Sequence, residues 1–316
     1  GWGAFRLIAE LDTMIELLNK IHHADWLTNN LPDKSVQLII ADPPYFEVKG
    51  SFDFAWKSFD DYLKDVEKWA IECKRILADN GTLFWYGHAK KIAYSQVILD
   101  KYFNLENVIK WRKTDCQTRK GYNVYRCFPP VTEHILFYSN MPDRSPFAEL
   151  INKRMQELNL KEIDFRKLRP SKNGIPTGWM SNIMLGKNIP KKEDWELIET
   201  LIQSGIEFEP LMEEYENNRR TFNNFNRFED VWDLAQDVHI TGDYQHPTMK
   251  TEKLARQMIL CSSKERDLVL IPFAGSGTEV AMAIKEGRNA IGFDIEEKYV
   301  DMANRRVDII KAQPSL

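Results

Sequence analysis

Apolar and polar positions along the chain form short blocks that predict strands alternating with helices. Compact apolar runs rich in β-branched and aromatic residues predict strands at residues 36–41, 82–86, 132–138, 267–271 and 289–293. Apolar residues at helical spacing predict a helix over residues 59–78, with Gly81 nearby as its stop. Strands that alternate with helices are typical of an α/β protein with a doubly wound sheet.

The stretch from residue 145 to residue 227 has a different pattern. Ser145 and Pro146 are typical of a helix start, and the short helical patterns that follow are separated by Gly and Pro. Residues 163–183 fit either a helix-turn-helix-like unit or a plain helical insertion. We therefore predict one domain formed by residues 1–144 and 228–316, with a mostly helical region at residues 145–227 inserted between its halves.

The first predicted strand is followed directly by Asp42, Pro43, Pro44 and Tyr45. Prolines end a strand because they lack an amide hydrogen and restrict φ. The segment therefore lies in a loop at the carboxyl end of the strand, where open α/β sheets bind ligands. The Asp42 carboxylate and the Pro43 carbonyl can accept hydrogen bonds from a planar amino group, and Tyr45 can stack on its ring. A proline-rich turn with a surface tyrosine is the alternative interpretation.

A glycine loop follows the predicted strand at residues 267–271. It consists of Phe273, Ala274, Gly275, Ser276, Gly277 and Thr278. The next predicted strand ends at Asp294, where a carboxylate can accept hydrogen bonds from ribose hydroxyls. Val280 stands where a dinucleotide motif has its third glycine, and no Gly-Lys-Ser/Thr element is present to bind a triphosphate. The loop therefore suits an adenosine-containing ligand without a pyrophosphate, and S-adenosylmethionine fits this description.

Together the two motifs resemble those of the DNA amino-methyltransferases, which methylate adenine N6 or cytosine N4. The order is that of the permuted (β) group, with Asp-Pro-Pro-Tyr first and Phe-x-Gly-x-Gly last. The resemblance covers about residues 20–140 and 228–308. It implies a Rossmann-like methyltransferase sheet, S-adenosylmethionine as the cofactor, and target recognition by the inserted region.

The resemblance also implies further cofactor contacts. It places Asp25 at the cofactor's adenine, includes Ala41 at the end of the first strand, and places His246, Pro247 and Lys250 over the methionine end. Two positions depart from the family, because Ile271 stands where an aspartate is usual and Thr251 where a proline is usual. The first departure removes a charge near the cofactor loop, so we expect an altered affinity for the cofactor.

The implied function is site-specific methylation of adenine N6 on a base flipped out of double-stranded DNA. In this hypothesis Asp42 and the Pro43 carbonyl hold the amino group while Tyr45 stacks on the base. An aspartate at the first motif position is linked more often to adenine, and a serine to cytosine. Cytosine-N4 methylation stays open, as does a catalytically inactive DNA-binding relative. Methylation of RNA or of a protein amide is less favoured, because asparagine commonly leads the motif in protein-glutamine enzymes.

The net charge of −4 gives the 316-residue chain no overall attraction to nucleic acid, so DNA contacts must be local. Basic residues concentrate in two segments: Lys110, Arg112, Lys113, Arg119, Lys120 and Arg126, then Lys153, Arg154, Lys161, Arg166, Lys167, Arg169 and Lys172. Each segment fits either a DNA-binding patch or a solvated charged face.

The four cysteines are widely spaced, so neither a metal site nor a disulfide framework is predicted. The chain shows no apolar run of about 18 residues and no signal peptide, so we expect a cytoplasmic protein without a membrane partner. The family resemblance adds two partners that stay open, a second copy of the chain and a restriction endonuclease of a restriction-modification pair.

Overall fold

The computed structural model describes residues 15–47, 55–114, 128, 130–141, 144–165, 167–169, 178–236 and 250–312. The chain divides into two compact units. The first consists of residues 1–141 and 221–316, and the second of residues 142–220.

The secondary structure of the described residues is as follows. The strands are β1 (Lys20–His23), β2 (Val36–Ala41), β3 (Leu77–Gly87), β4 (Asn104–Lys113), β5 (Thr132–Ser139), β6 (Val231–Leu234), β7 (Leu268–Ile271) and β8 (Asn289–Asp294). The helices are α1 (Phe59–Ile76), α2 (Ile92–Leu99), α3 (Pro146–Glu157), α4 (Glu162–Phe165), α5 (Trp179–Met184), α6 (Lys192–Ile202), α7 (Phe208–Asn218), α8 (Glu252–Ser262), α9 (Thr278–Lys285) and α10 (Glu297–Ala312). A short 3-10 helix covers Trp26–Thr28.

The strands of the first unit form one sheet in the order β1-β8-β7-β2-β3-β5-β4-β6. Neighbours from β1 to β3 are parallel, whereas β5 runs antiparallel to both β3 and β4. From β2 the chain passes through α1 to β3 on one side, and from β7 it passes through α9 to β8 on the other. The strand order therefore reverses between β2 and β7, which makes the carboxyl ends of these two strands a topological switch point.

Both faces of the sheet are covered by helices. Along β3, Leu83 and Trp85 pack in a core cluster with residues of α1 and α2. Phe84 and Tyr86, the alternate residues, pack in a second cluster with residues of α8, α9 and α10. A strand buried on both faces reads as a continuous apolar run, which is why the sequence pattern identified these strands. The predicted doubly wound α/β fold is confirmed.

The end of α1 differs from the prediction. The helix begins after Ser58, whose hydroxyl accepts a hydrogen bond from the Asp61 amide, and it ends at Ile76 rather than near Gly81. Leu77 is already extended, with φ −70° and ψ 129°, and pairs with Val36 of β2. Pairing with β2 therefore draws residues 77–81 into the strand, and Gly81 lies inside β3.

The second unit is built from α3 to α7. As predicted, α3 starts at Pro146, with the Ser145 hydroxyl accepting a hydrogen bond from the Ala148 amide. The helices enclose a separate core of Phe147, Ile151, Phe165, Trp195 and Ile198, with further apolar residues around it. The turn between α4 and α5 includes residues outside the described ranges, so the helix-turn-helix-like unit stays a prediction.

The limits of the second unit also differ from the predicted limits of 145 and 227. It begins at residue 142 and ends at residue 220. Residues after 220 already contact the sheet, since the Asn223 amide donates to the Cys261 carbonyl of α8 and the Phe222 ring lies 5.8 Å from that of Phe137. None of the helices in the described ranges is apolar over enough length to span a bilayer.

We predict that Leu83→Ala lowers the free energy of unfolding by about 2–5 kcal/mol, because it leaves a cavity in the core cluster between β3 and α1. Leu83 is fully buried. The matched control is Val97→Ala on the exposed surface of α2, for which we expect a change within about 0.5 kcal/mol. Urea denaturation followed by circular dichroism measures both, and equal effects would contradict the assignment of Leu83 to the core.

Candidate active site

The two sequence motifs meet at the switch point of the sheet. Strands β2 and β7 are parallel and pair Leu38 with Val269 and Ile39 with Leu270, so the loops after both strands lie at the same edge. A cavity of about 660 Å³ opens there. Its volume is within the usual range for sites that hold a small molecule or cofactor.

Most of the predicted site residues line this cavity. They are Asp25, Asp42, Pro43, Pro44, Tyr45, Lys250, Phe273, Ala274, Gly275, Ser276 and Asp294. Ala41 does not line it, because its side chain is fully buried in the core cluster on the α1 side of β2. His246 and Pro247 lie outside the described residues, so their cofactor contacts stay a prediction.

Gly277 and Thr278 do not line the cavity but contact α10. Gly277 has φ +71°, and a Cβ atom there would lie 2.7 Å from the Ala303 Cβ of α10. Only glycine permits this conformation together with such close packing. The Thr278 hydroxyl accepts a hydrogen bond of 2.8 Å from Arg306. These two residues therefore hold the glycine loop against α10.

At the β8 end of the cavity, two carboxylates organise the loops that carry them. Asp294 accepts hydrogen bonds from the amides of Gly275, at 2.8 Å, and Glu296, at 2.9 Å, and burial raises the pKa of Asp294. Asp25 accepts a hydrogen bond from the Leu27 amide at the start of the 3-10 helix. Each carboxylate oxygen can accept a second hydrogen bond, so both residues can also bind a ligand's hydroxyl or amino group.

Aromatic rings form the apolar wall beside these carboxylates. Trp26, Trp69 and Phe273 line the cavity, and the Phe273 ring lies 6.0 Å from Trp26 and 5.0 Å from Trp69 in edge-to-face arrangements. The buried Trp26 Nε1 has no hydrogen-bond partner among the described residues. An apolar wall with a spare donor and nearby acceptors fits an adenosine group. Sequence reasoning missed both tryptophans, because neither belongs to a motif.

At the other end of the cavity, Asp42 is held by two neighbours. One oxygen accepts a 2.6 Å hydrogen bond from the Tyr45 hydroxyl, and the other lies 3.1 Å from the Lys250 ammonium. The same ammonium lies 2.8 Å from Glu133 of β5, which also pairs with Lys113. Lys250 was predicted to cover the cofactor. It lines the cavity, but its charge is bound by Asp42 and Glu133.

The charges of this network depend on one another. Burial raises the pKa of Asp42, and the attraction of Lys250 and the Tyr45 hydrogen bond oppose that shift. Burial acts in the same direction on Glu133, but Lys250 and Lys113 outweigh it and lower the pKa to about 2. Burial and the charge of Asp42 raise the pKa of Tyr45 well above 10.0, so Tyr45 stays a phenol and a hydrogen-bond donor.

Two carboxylates at or beside the cavity were missed by sequence reasoning. Glu133 lies in a predicted strand, and only the pairing of β5 beside β3 brings it to Lys250. Glu279 lines the cavity from the first turn of α9 and is 6% exposed. Its signal was available, because Glu279 is an acidic residue among the apolar positions directly after the glycine loop.

The two basic segments are partly occupied by internal ion pairs. In the first unit Arg112 pairs with Asp233, and Lys113 with Glu133. In the second unit Arg154 pairs with Glu157, and Arg169 with Asp194. The exposed residues Lys110, Lys153, Lys161 and Lys167 are better candidates for phosphate contacts. Arg119, Lys120, Arg126, Arg166 and Lys172 lie outside the described ranges.

The chain is similar to known DNA methyltransferases. A family model of N6 and N4 methyltransferases, described as DNA methylase, matches residues 36–305. The type II methyltransferase M.HpaI of Haemophilus parainfluenzae is 30% identical in an alignment of 287 residues, and the match covers 88% of this chain and 70% of that protein. The DNA adenine methyltransferase YhdJ of Escherichia coli (strain K12) is 28% identical in an alignment of 299 residues, and the match covers 92% of this chain and 82% of YhdJ. The crystal structure of an M1.HpyAVI–SAM complex has a similar fold, with a TM-score of 0.51 at 19% identity and coverage of 91% and 98%.

We predict that Lys250→Met lowers the free energy of unfolding at pH 7.5 by about 3–5 kcal/mol, because it leaves Asp42 and Glu133 buried without their shared cation. The pKa of Glu133 is lowered in the folded state, so its ionised form stabilises the fold at pH values above the unfolded pKa of 4.5. This contribution disappears as the pH falls towards about 2. The loss should therefore shrink as the pH falls below about 4.5.

Urea denaturation at pH 7.5, 5 and 4 measures this difference. The control is Lys253→Met, which removes an exposed lysine in the first turn of α8, close to Lys250 in sequence, and should change stability by less than about 0.5 kcal/mol. A Lys250 variant as stable as this control at pH 7.5 would contradict the buried network.

Proposed function

The chain belongs to the DNA methylase family of N6 and N4 methyltransferases, and we propose that it transfers a methyl group from S-adenosylmethionine to adenine N6 in double-stranded DNA. The predicted family is thereby confirmed. One observation carries the proposal. Asp42, held by Tyr45 and Lys250, opens into the same cavity as the Phe273 to Ser276 loop. The amine site and the cofactor site are therefore adjacent.

The residues at the Asp42 end fit the chemistry of an exocyclic amino group. Such a group is a poor nucleophile because its lone pair is delocalised into the base. Asp42 and the Pro43 carbonyl accept hydrogen bonds from its two N–H groups and thereby return electron density to nitrogen. S-adenosylmethionine supplies a methyl group activated by a positive sulfur, so the enzyme needs no covalent intermediate. Catalysis is then mainly positioning and local electrostatics.

Asp42 also has the properties of a proton acceptor. Nitrogen becomes cationic when it gains a methyl group and must then lose a proton. The raised pKa of Asp42 favours uptake of that proton, while Lys250 and Tyr45 keep the carboxylate ionised and oriented before the reaction. We assign Lys250 and Tyr45 to positioning through Asp42, and Tyr45 also to stacking on the base.

The residues at the β8 end of the cavity suit the adenosine part of the cofactor. Asp25, Trp26, Phe273 and Asp294 would hold its adenosine part, with the aromatic rings against the adenine and Asp294 as an acceptor for ribose hydroxyls. The target base must leave the duplex to reach Asp42, which costs roughly a few kcal/mol. Stacking on Tyr45 and hydrogen bonds to Asp42 and Pro43 would offset that cost.

Adenine is the favoured base for two reasons. The relative YhdJ is named as a DNA adenine methyltransferase, and the motif of this chain begins with Asp42. The family also includes N4 methyltransferases, so cytosine N4 is the second candidate. Analysis of the methylated nucleoside separates the two, because N6-methyladenine and N4-methylcytosine differ in mass.

Target recognition is assigned to the second unit, residues 142–220, which has its own core and exposed lysines. The relative M.HpaI carries a type II name, which supports a role in restriction-modification with a cognate endonuclease. A homodimer is the proposed assembly, from the family resemblance. The relatives are bacterial and bacterial DNA lies in the cytoplasm, so the proposed location is cytoplasmic.

We predict that Asp42→Ala lowers methyl transfer to DNA at least about 100-fold while leaving S-adenosylmethionine affinity within about threefold, because Asp42 contacts the amine. Genomic DNA from cells expressing the wild type, digested and analysed by mass spectrometry, should contain N6-methyladenine. The matched control is Asp60→Ala in the exposed first turn of α1, which should keep wild-type activity. A fully active Asp42 variant would remove the basis of the proposed mechanism.

A series at Tyr45 separates stacking from the hydroxyl contact. We predict that Tyr45→Ala loses roughly 10–100-fold in activity, since stacking of a base on an aromatic ring contributes about 1–3 kcal/mol. Tyr45→Trp and Tyr45→Phe keep a ring and should stay within about tenfold of the wild type. Tyr94→Ala, at an exposed tyrosine of α2, is the control. Equal losses in all three Tyr45 variants would argue against stacking.

A further inference from the structure

Glu279 is a buried carboxylate that the proposed mechanism does not use. It lies in the first turn of α9, directly after the glycine loop, and lines the cavity with 6% exposure. Its Oε1 atom has no hydrogen-bond partner among the described residues. A buried carboxyl oxygen without a partner is costly, so its presence on the wall of a ligand cavity points to a ligand group that pairs with it.

The charged groups that face Glu279 do not neutralise it. The charged ones are Asp42, Lys250 and Arg306, and the buried Tyr86 phenol is a further titratable group that interacts with Glu279. Lys250 is bound by Asp42 and Glu133, and Arg306 donates to Thr278 and, at 2.7 Å, to Glu252. Burial, together with the like charge of Asp42, raises the pKa of Glu279 from 4.5 to about 7 against the pull of both cations.

Carboxylates also outnumber ammonium groups around Glu279. Asp42, Glu133 and Glu279 contribute three carboxylates, and Lys113 and Lys250 contribute two ammonium groups. Arg306 is paired with Glu252. One carboxylate is therefore in excess among these described residues. The cavity beside Asp42 is suited to a ligand group that carries a positive charge and donates hydrogen bonds.

The position of Glu279 selects one such group of the cofactor. Asp42 marks the point where the methyl group is transferred, and Asp25 and Asp294 mark the adenosine end. Since Glu279 interacts electrostatically with Asp42, it lies at the end that would receive the amino-acid part. That part carries an α-ammonium, which is a cationic donor. Its carboxylate would be repelled, and the sulfonium has no N–H or O–H to donate.

We propose that Glu279 binds the α-ammonium group of S-adenosylmethionine and thereby positions its amino-acid end. This proposal rests on the proposed methyltransferase function. Ile271, where the resembled family usually has an aspartate, is 1% exposed and packs in the same core cluster as Val280. The charge that is absent at the end of β7 is thus present in the neighbouring first turn of α9.

Calorimetric titration with three ligands tests the contact: S-adenosylmethionine, S-adenosylhomocysteine and the homocysteine compound lacking its α-amino group. Glu279→Gln keeps the side-chain size and removes the charge. It should lower the affinity for each of the first two ligands by a similar factor of roughly tenfold or more, as expected for the loss of a charge-assisted hydrogen bond. The affinity for the deaminated ligand should fall by less than about twofold. Glu265→Gln, at an exposed position before β7, should change none of the three.

A second readout follows from the protonation of Glu279. In the free protein its carboxyl is largely protonated below about pH 7, and pairing with an ammonium ionises it. Binding of S-adenosylhomocysteine at pH 6 should therefore release more protons in the wild type than in Glu279→Gln, which is measured by titrations in buffers of different ionisation enthalpy. The melting temperature of the free variant should not fall, since no described partner of Oε1 is lost.

The outcomes separate this proposal from the proposed function. A wild type that binds neither S-adenosylmethionine nor S-adenosylhomocysteine would overturn both. A wild type that binds them, with a folded Glu279→Gln variant of unchanged affinity, would overturn only the ammonium contact. Weaker binding of S-adenosylmethionine alone would assign Glu279 to the sulfonium instead. Equal weakening of all three ligands would show a general effect on the cavity and would also overturn the contact.

Discussion

The parallel pairing of β2 with β7 is the constraint on which the rest of the structure depends. These strands come from opposite ends of the chain and pair through Leu38 with Val269 and Ile39 with Leu270. Because parallel strands end at the same edge, the pairing brings the loop of Asp42 beside the loop of Phe273. The connections then diverge to opposite sides of the sheet, which leaves a cavity at the switch point rather than a covering helix.

A second layer of organisation is electrostatic. Lys250 forms ion pairs with Asp42, in the loop after β2, and with Glu133 of β5, and Lys113 of β4 forms a second ion pair with Glu133. Ion pairs of this kind are costly to desolvate and contribute mainly by keeping each charge in place. Here that means an ionised, oriented Asp42. Glu279 adds negative charge beyond the needs of the protein itself, which matches a cofactor that carries positive charge at its reactive end.

Sequence reasoning succeeded where local periodicity decides structure. Central strands such as β2 and β3 are buried on both faces and read as apolar runs, and α1 has its apolar residues at helical spacing. It missed β1, which is only four residues long, and β4, whose charged residues disguise the strand pattern. It extended α1 past Ile76, because the pairing of Leu77 with Val36 is a long-range contact that no local pattern contains.

The sequence by itself determined the fold class and the loop positions of the two motifs, because these follow from neighbouring residues. Only the tertiary structure decided which distant side chains share the cavity. Glu133, Lys250 and Asp42 are far apart along the chain, and their contact depends on strand order and burial. Burial also made Glu279 significant, since an unpartnered carboxylate is costly only away from water.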